Sequence, residues 1–206
     1  MSEPLVFLDV DTQVDFMLPT GSLYVPGAEQ IIPHLKKLMN SAREHAIPVL
    51  SSADAHAPDD PSFAEWPPHC IVGTPGQQRI IETQWASARV VPNRAGAFKP
   101  GSSLEGQTIV EKQAYDATTN VNFEAILQAL GPRRFVVFGV ATEYCVRGSV
   151  LGLRQRAKPV DVVVDAIRAI SEEGGRRAVE EMLAAGARLT TTEAVTARAV
   201  STAVRS

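Results

Sequence analysis

The feature that most constrains this chain is a regular alternation of short apolar runs with longer runs of helical periodicity. Leu5–Val10, broken only by Asp9, leads the series, followed by Val49–Ala53, Thr108–Glu111, Phe135–Phe138 and Val160–Val164. Near-continuous apolar runs of this length read as strands buried on both faces. Between them Ile31, Ile32, Leu35, Leu38, Met39 and Ala42 recur at helical spacing and stop near His45, ahead of Pro48. Further helices are expected over Val121–Leu130, capped by Asn120 and stopped by Gly131-Pro132, and from Thr142 or Glu143 to about Ala157. Another spans Ser171–Ala185 and ends at Gly186; Arg188–Thr191 reads as a last strand and Glu193–Val204 as a terminal helix. The alternation argues an α/β fold, a parallel sheet covered on both faces. Without internal repeat, linker or charge block, residues 1–206 read as one domain.

Residues 57–106 break the rhythm, being rich in Pro, Gly and polar residues, with one short strand expected at Arg89–Pro92. A loop this long inside a compact domain is usually functional or a lid. The net charge of −3 offers no electrostatic footprint for nucleic acid, and no apolar run approaches the ~18 residues of a membrane span. The N-terminus lacks a basic n-region, and Cys70 and Cys145 lie far apart. No disulfide framework is expected, and a reducing cytoplasm fits best.

Ligands of such sheets bind outside the carboxyl ends of the strands. Four of the strands end there on reactive groups: Asp11, Asp54 with His56, Lys112, and the turn leading to Cys145. Each alone has a bland reading, as a turn residue, a solvated lysine or a packed cysteine. Together they supply what covalent catalysis needs. Cys145 is the nucleophile, its thiolate favoured by the start of a helix. Asp11 accepts its proton and later returns it to the leaving group, and Lys112 keeps Asp11 ionised. Backbone N–H groups near Ala141 and Cys145 form an oxyanion hole.

A second cluster is Asp54-x-His56 with His69, in Trp66-Pro67-Pro68-His69-Cys70. Residues two apart in extended chain project to one side, so Asp54 and His56 can share an ion, with His69 folding back as a third ligand. One carboxylate and two imidazoles suit Zn²⁺, with Fe²⁺ or Mn²⁺ as alternatives. Surface histidines near a turn are the competing reading, and Cys70 is read as packing.

With these residues in place, the chain resembles the isochorismatase-like cysteine hydrolases and, among them, the nicotinamidase and pyrazinamidase subgroup. Asp11-x-Gln13-x-Asp15-Phe16 resembles the first motif of that family, and Gly139-Val140-Ala141-Thr142-Glu143-Tyr144-Cys145-Val146 its nucleophile motif. Asp54-x-His56, Ser62-Phe63, Trp66-Pro67-x-His69-Cys70 and Gly73-Thr74-Pro75-Gly76 resemble the nicotinamidase metal segment. The resemblance implies a three-layer α/β/α sandwich whose central, mainly parallel sheet has about six strands. It implies an Asp11–Lys112–Cys145 triad, a cis peptide between Val140 and Ala141, and a divalent metal on Asp54, His56 and His69 that binds the ring nitrogen of nicotinamide. Phe16, Trp66 and Gln13 would contact the substrate, a small amide, and the family's habit points to a homo-oligomer.

The chain also departs from the subgroup, with Ala55 where tryptophan is usual and Asp60 where a further histidine is usual. The segment Gln113–Asn122 is likewise unlike the usual pocket wall, and Asn120 or Asn122 is expected to reach the substrate. A metal-independent hydrolase with the same triad, acting on isochorismate or a carbamoyl-type amide, is therefore the alternative. The Asp9-x-Asp11 start superficially resembles haloacid-dehalogenase phosphatases, but no later acidic pair for magnesium accompanies it.

Overall fold

The computed structural model describes residues 3–99 and 101–203. Strand β1 (Leu5–Val10) is followed by a single helical turn, α1 (Val14–Met17), and by α2 (Ile32–Glu44). Then come β2 (Val49–Asp54), the long loop with β3 (Arg89–Val91), β4 (Gln107–Lys112), α3 (Phe123–Leu130) and β5 (Arg134–Val140). A π-helical turn (Thr142–Val146) leads into α4 (Arg147–Gln155), and β6 (Val160–Arg168), α5 (Glu172–Ala184), β7 (Arg188–Thr190) and α6 (Thr192–Ala203) complete the order. Val204, expected in the last helix, lies outside the described residues.

All seven strands are parallel, in the order β3-β4-β2-β1-β5-β6-β7. The count is one above the expected six, because the short strand expected inside the long loop pairs with β4. Alternation along β1 shows why two layers of helices are needed. Leu5 and Phe7 face α2 and α6 (Leu35, Leu38, Val195), while Val6, Leu8 and Val10 face α3, α4 and α5 (Phe123, Val150, Met182).

The helix expected from Thr142 or Glu143 to about Ala157 opens instead as the π-helical turn and ends at Gln155, and two further elements differ from expectation. Helix α3 begins at Phe123, not Val121, because the Asn120 side chain accepts a hydrogen bond from the Asn122 N–H (2.8 Å) and holds those residues in a turn. Strand β6 continues to Arg168, since after a register shift Ile167 and Arg168 pair with Gly139 and Val140. At Gly139 (φ 119°) a Cβ would stand 2.0 Å from the Val10 carbonyl oxygen, so only glycine allows β5 to close on β1 where both strands run out. That closure sets the Val140–Ala141 peptide, which is cis, beside the end of β1.

Candidate active site

β1 stops pairing at Val10, and Asp11 turns out of the strand with φ 48°. Its Oδ1 accepts a hydrogen bond from Ser52 Oγ (2.6 Å), and its Oδ2 lies 2.7 Å from Lys112 Nζ. Lys112, the last residue of β4, is fully buried and donates to Cys145 Sγ at 3.6 Å. It also pairs with Asp54 Oδ1, at the end of β2 directly opposite in register. One ammonium therefore holds two carboxylates and a thiol that follow or end three other strands of the sheet.

Burial sets the direction at Cys145 and Asp11, and charge sets it at Lys112. Burial pushes the Cys145 thiol well above its ordinary range; Lys112 opposes that, while Asp11 and Asp54 reinforce it. The expectation that the helix start favours a thiolate thus meets an opposing effect, since burial of the sulfur favours the thiol and Lys112 offsets that only in part. Burial likewise raises Asp11, against the pull of Lys112 and with the push of Asp54, which makes its carboxylate a stronger proton acceptor. Burial favours neutral Lys112, but Asp11, Asp54 and Cys145 outweigh it and keep the side chain cationic.

The second cluster forms on the other oxygen of Asp54. Its Oδ2 lies 3.7 Å from His56 Nε2 and 3.8 Å from His69 Nε2, and the two rings are 4.9 Å apart. A tetrahedral zinc ion with bonds of about 2.0–2.1 Å separates its ligand atoms by roughly 3.3 Å, so this spacing needs only a small contraction. The outer ring nitrogens are engaged: His56 Nδ1 lies 2.9 Å from Asp60 Oδ2, and His69 Nδ1 lies 2.7 Å from the Pro67 carbonyl. Such outer partners fix the tautomer that leaves Nε2 free for a metal. Asp60, noted as a departure from the usual pattern, thus orients a ligand; hydrogen bonds from Ser62 and the proximity of His56 lower its pKa to about 2. Although burial disfavours ionised Asp54, Lys112 and the two imidazoles outweigh it and hold the carboxyl below its ordinary range.

Gln13, expected at the substrate, lies elsewhere. It is fully buried, its Oε1 accepts from the Asp54 N–H (2.7 Å), and its Nε2 donates to the Asp54 carbonyl and to that of Gln77 (2.9 Å each). Asp15 of the same motif accepts from the N–H groups of Cys70 (2.7 Å) and Ser22 (2.9 Å), which pins the long loop beside His69. Asn120 and Asn122 also fall short of the pocket: their amides donate to backbone carbonyls of Val91, Glu111, Pro92 and Arg94. Sequence reasoning missed Arg79. Its guanidinium, buried within the long loop, pairs with Asp9 and donates to Ser52 O (2.8 Å) and Thr12 Oγ1 (2.5 Å), just behind the residues that hold Asp11.

A narrow pocket opens over Cys145. Asp54, His69 and Cys145 line it with Val140 and Ala141, and Phe16, Leu23, Val25, Trp66, Tyr115, Tyr144 and Ile170 supply its apolar wall. Phe16 and Trp66 were expected there. The two tyrosines were not: Tyr115 accepts a hydrogen bond from Trp66 Nε1 (3.0 Å), and Tyr144 packs against both, with ring centroids 5.2 and 5.3 Å away. Tyr115 lies in the segment after Lys112 that departs from the usual wall. Ile170 arrives through Glu143, whose carboxylate accepts from the Ile170 and Ser171 N–H groups.

Comparison with known proteins shows what the chain is similar to in sequence and fold. The isochorismatase domain matches residues 5–194. The nicotinamidase of Escherichia coli (strain K12) is 27% identical over 213 residues, covering 91% of this chain and 95% of its own. Among solved structures, the pyrazinamidase of Pyrococcus horikoshii in complex with zinc superposes with a TM-score of 0.76 at 28% identity, over 91% of this chain and 98% of that one. The N-carbamoylsarcosine amidase from Thermoplasma acidophilum gives 0.74 at 25% identity, over 92% and 96%. The chain belongs to the isochorismatase family and is a hydrolase of amide C–N bonds, of the kind to which the nicotinamidases and pyrazinamidases belong.

Proposed function

We propose that the chain hydrolyses nicotinamide to nicotinate and ammonia through a thioester on Cys145. The observation that carries this reading is the division of labour on Asp54: one oxygen pairs with Lys112 beside Cys145, the other faces the two histidines, of which His69 lines the same pocket as Cys145. A substrate that presents a carboxamide and a ring nitrogen a short distance apart engages both halves. A divalent ion, zinc in the first instance and iron or manganese otherwise, held by Asp54, His56 and His69 supplies a Lewis acid for the ring nitrogen.

The chain's own residues carry the reaction. Asp11 takes the proton of Cys145 as the sulfur attacks the carboxamide carbon, so a high thiol pKa is no obstacle at the moment of attack. The oxyanion is received by the peptide N–H groups of Ala141 and Cys145. As the C–N bond breaks, Asp11 returns its proton to the nitrogen and ammonia leaves. Asp11 then accepts a proton from the incoming water, whose oxygen attacks the thioester; as the C–S bond breaks Asp11 returns that proton to the sulfur, and the acid formed gives up its own proton to solvent and departs as nicotinate. Throughout, Lys112 compensates the charge that moves between Asp11 and the sulfur. Phe16 and Trp66 flank the ring.

The test is to incubate metal-replete protein with nicotinamide and related aromatic amides and to follow ammonia; no turnover of any of them overturns the reading. A second reading, a metal-independent hydrolase of a carbamoyl-type amide, is favoured by the unusual wall at Tyr115 and by the likeness to N-carbamoylsarcosine amidase. Metal analysis separates the two, since only the first requires one ion per chain. Residence in the cytoplasm, a single domain and assembly into a homo-oligomer belong to the same proposal, as does the absence of nucleic-acid or membrane partners. No helix among the described residues is long and apolar enough to cross a membrane.

A further inference from the structure

β2 is flanked by β1 on one side and β4 on the other, but the flank toward β1 ends early. The last β1–β2 pair is Val10 with Ser52, after which β1 swings away at Asp11, while β2 continues to Asp54 opposite Lys112. The peptide groups of Asp54 therefore face a side from which the neighbouring strand has gone. Gln13 fills that side. Its primary amide presents one acceptor and one donor, the pair a strand would offer, and takes both the N–H (2.7 Å) and the C=O (2.9 Å) of Asp54. The second Nε2 hydrogen reaches the Gln77 carbonyl (2.9 Å), so the amide itself is anchored and fully buried. A backbone held at both polar groups fixes the direction of the Asp54 Cα–Cβ bond, from which Oδ1 reaches Lys112 and Oδ2 the histidine pair.

We propose that Gln13 is a positioning residue for the metal-binding carboxylate, a side-chain rung that extends the sheet so that Asp54 can serve the metal and Lys112 at once. The inference rests on the reading of Asp54, His56 and His69 as metal ligands. Removing the amide frees the Asp54 backbone to rotate, and metal affinity falls by about 10–100-fold, as when the outer partners of metal ligands are removed.

The experiment measures zinc dissociation constants by competition with a chromophoric chelator, on metal-free wild type and on Gln13→Met, a replacement of similar length without polar atoms. Gln13→Asn, which retains the amide but cannot span both groups, serves if the first variant does not fold, and loses less affinity. Gln107→Met is the matched control. That amide is equally buried and bridges Trp85 N–H, Ser51 Oγ and the Thr83 carbonyl, away from the ligands. The expected result is a weakened zinc constant in the Gln13 variants, unchanged in the control, although all lose thermal stability. Equal constants in wild type and Gln13 variants overturn the proposal, and so does an equal weakening in the control, which would assign the effect to general loosening. If wild-type protein binds no zinc, the metal reading itself fails and the inference falls with it.

Discussion

Arg79→Met removes the cation from a buried ion pair and leaves Asp9 without it. The side chains are 2% and 0% exposed, so water cannot take the place of the guanidinium. Breaking a buried pair from one side costs about 3–5 kcal/mol, which in a chain of this size lowers Tm by roughly 6–20 °C. The loss has a signature in pH. Burial raises the Asp9 pKa, with Arg79 and hydrogen bonds from Thr12 and Ser51 opposing it. A carboxyl raised in the folded state contributes stability that is complete below its unfolded value, about 3.9, and is lost as pH rises through the folded value. Without Arg79 the folded value climbs further, so the variant loses more than wild type as pH rises, and the gap in Tm widens from acid to neutral conditions. The assay is calorimetric unfolding of wild type, Arg79→Met, Asp9→Asn and the double variant across that range. The double variant is expected to recover about 1–3 kcal/mol of coupling at neutral pH. A gap of under about 1 kcal/mol, or one that does not change with pH, refutes the reasoning.

Other outcomes follow from the same geometry. Cys145→Ala abolishes amide hydrolysis, by on the order of 10⁴-fold or more, while the protein stays folded by circular dichroism. The acid limb of kcat/KM reports Asp11, which must be ionised to accept the thiol proton; its pKa is raised, so activity declines as pH falls through a value above 3.8. Tyr115→Phe breaks the hydrogen bond to Trp66 at the pocket mouth and raises KM severalfold with kcat little changed, the pattern of lost uniform binding.

How far the sequence disclosed this molecule can be traced residue by residue. The strands that end on Asp11, Asp54 and Lys112 are legible because buried parallel strands leave long apolar runs, and their polar endpoints then mark one sheet edge. The family motifs pointed to a cis peptide at Val140–Ala141, and the structure contains it. The Gln13 assignment failed because a primary amide serves a ligand or a backbone equally well, and only the early departure of β1 shows which. Arg79 and Tyr115 escaped notice because neither carries a periodic signal, and each finds its partner across a sequence gap of dozens of residues. The burial that raises the Cys145 pKa was illegible for a related reason: helix position is written in the sequence, whereas burial is a property of the packed whole.

The central claim is that Cys145 becomes acylated by the substrate. Metal-replete protein mixed with nicotinamide, acid-quenched within the first turnovers, digested and read by mass spectrometry tests it directly. A nicotinoyl group is expected on the peptide containing Cys145, absent in Cys145→Ala, which also releases no ammonia. Ammonia release by Cys145→Ala at the wild-type rate, with no acylated Cys145 peptide in either protein, would contradict it.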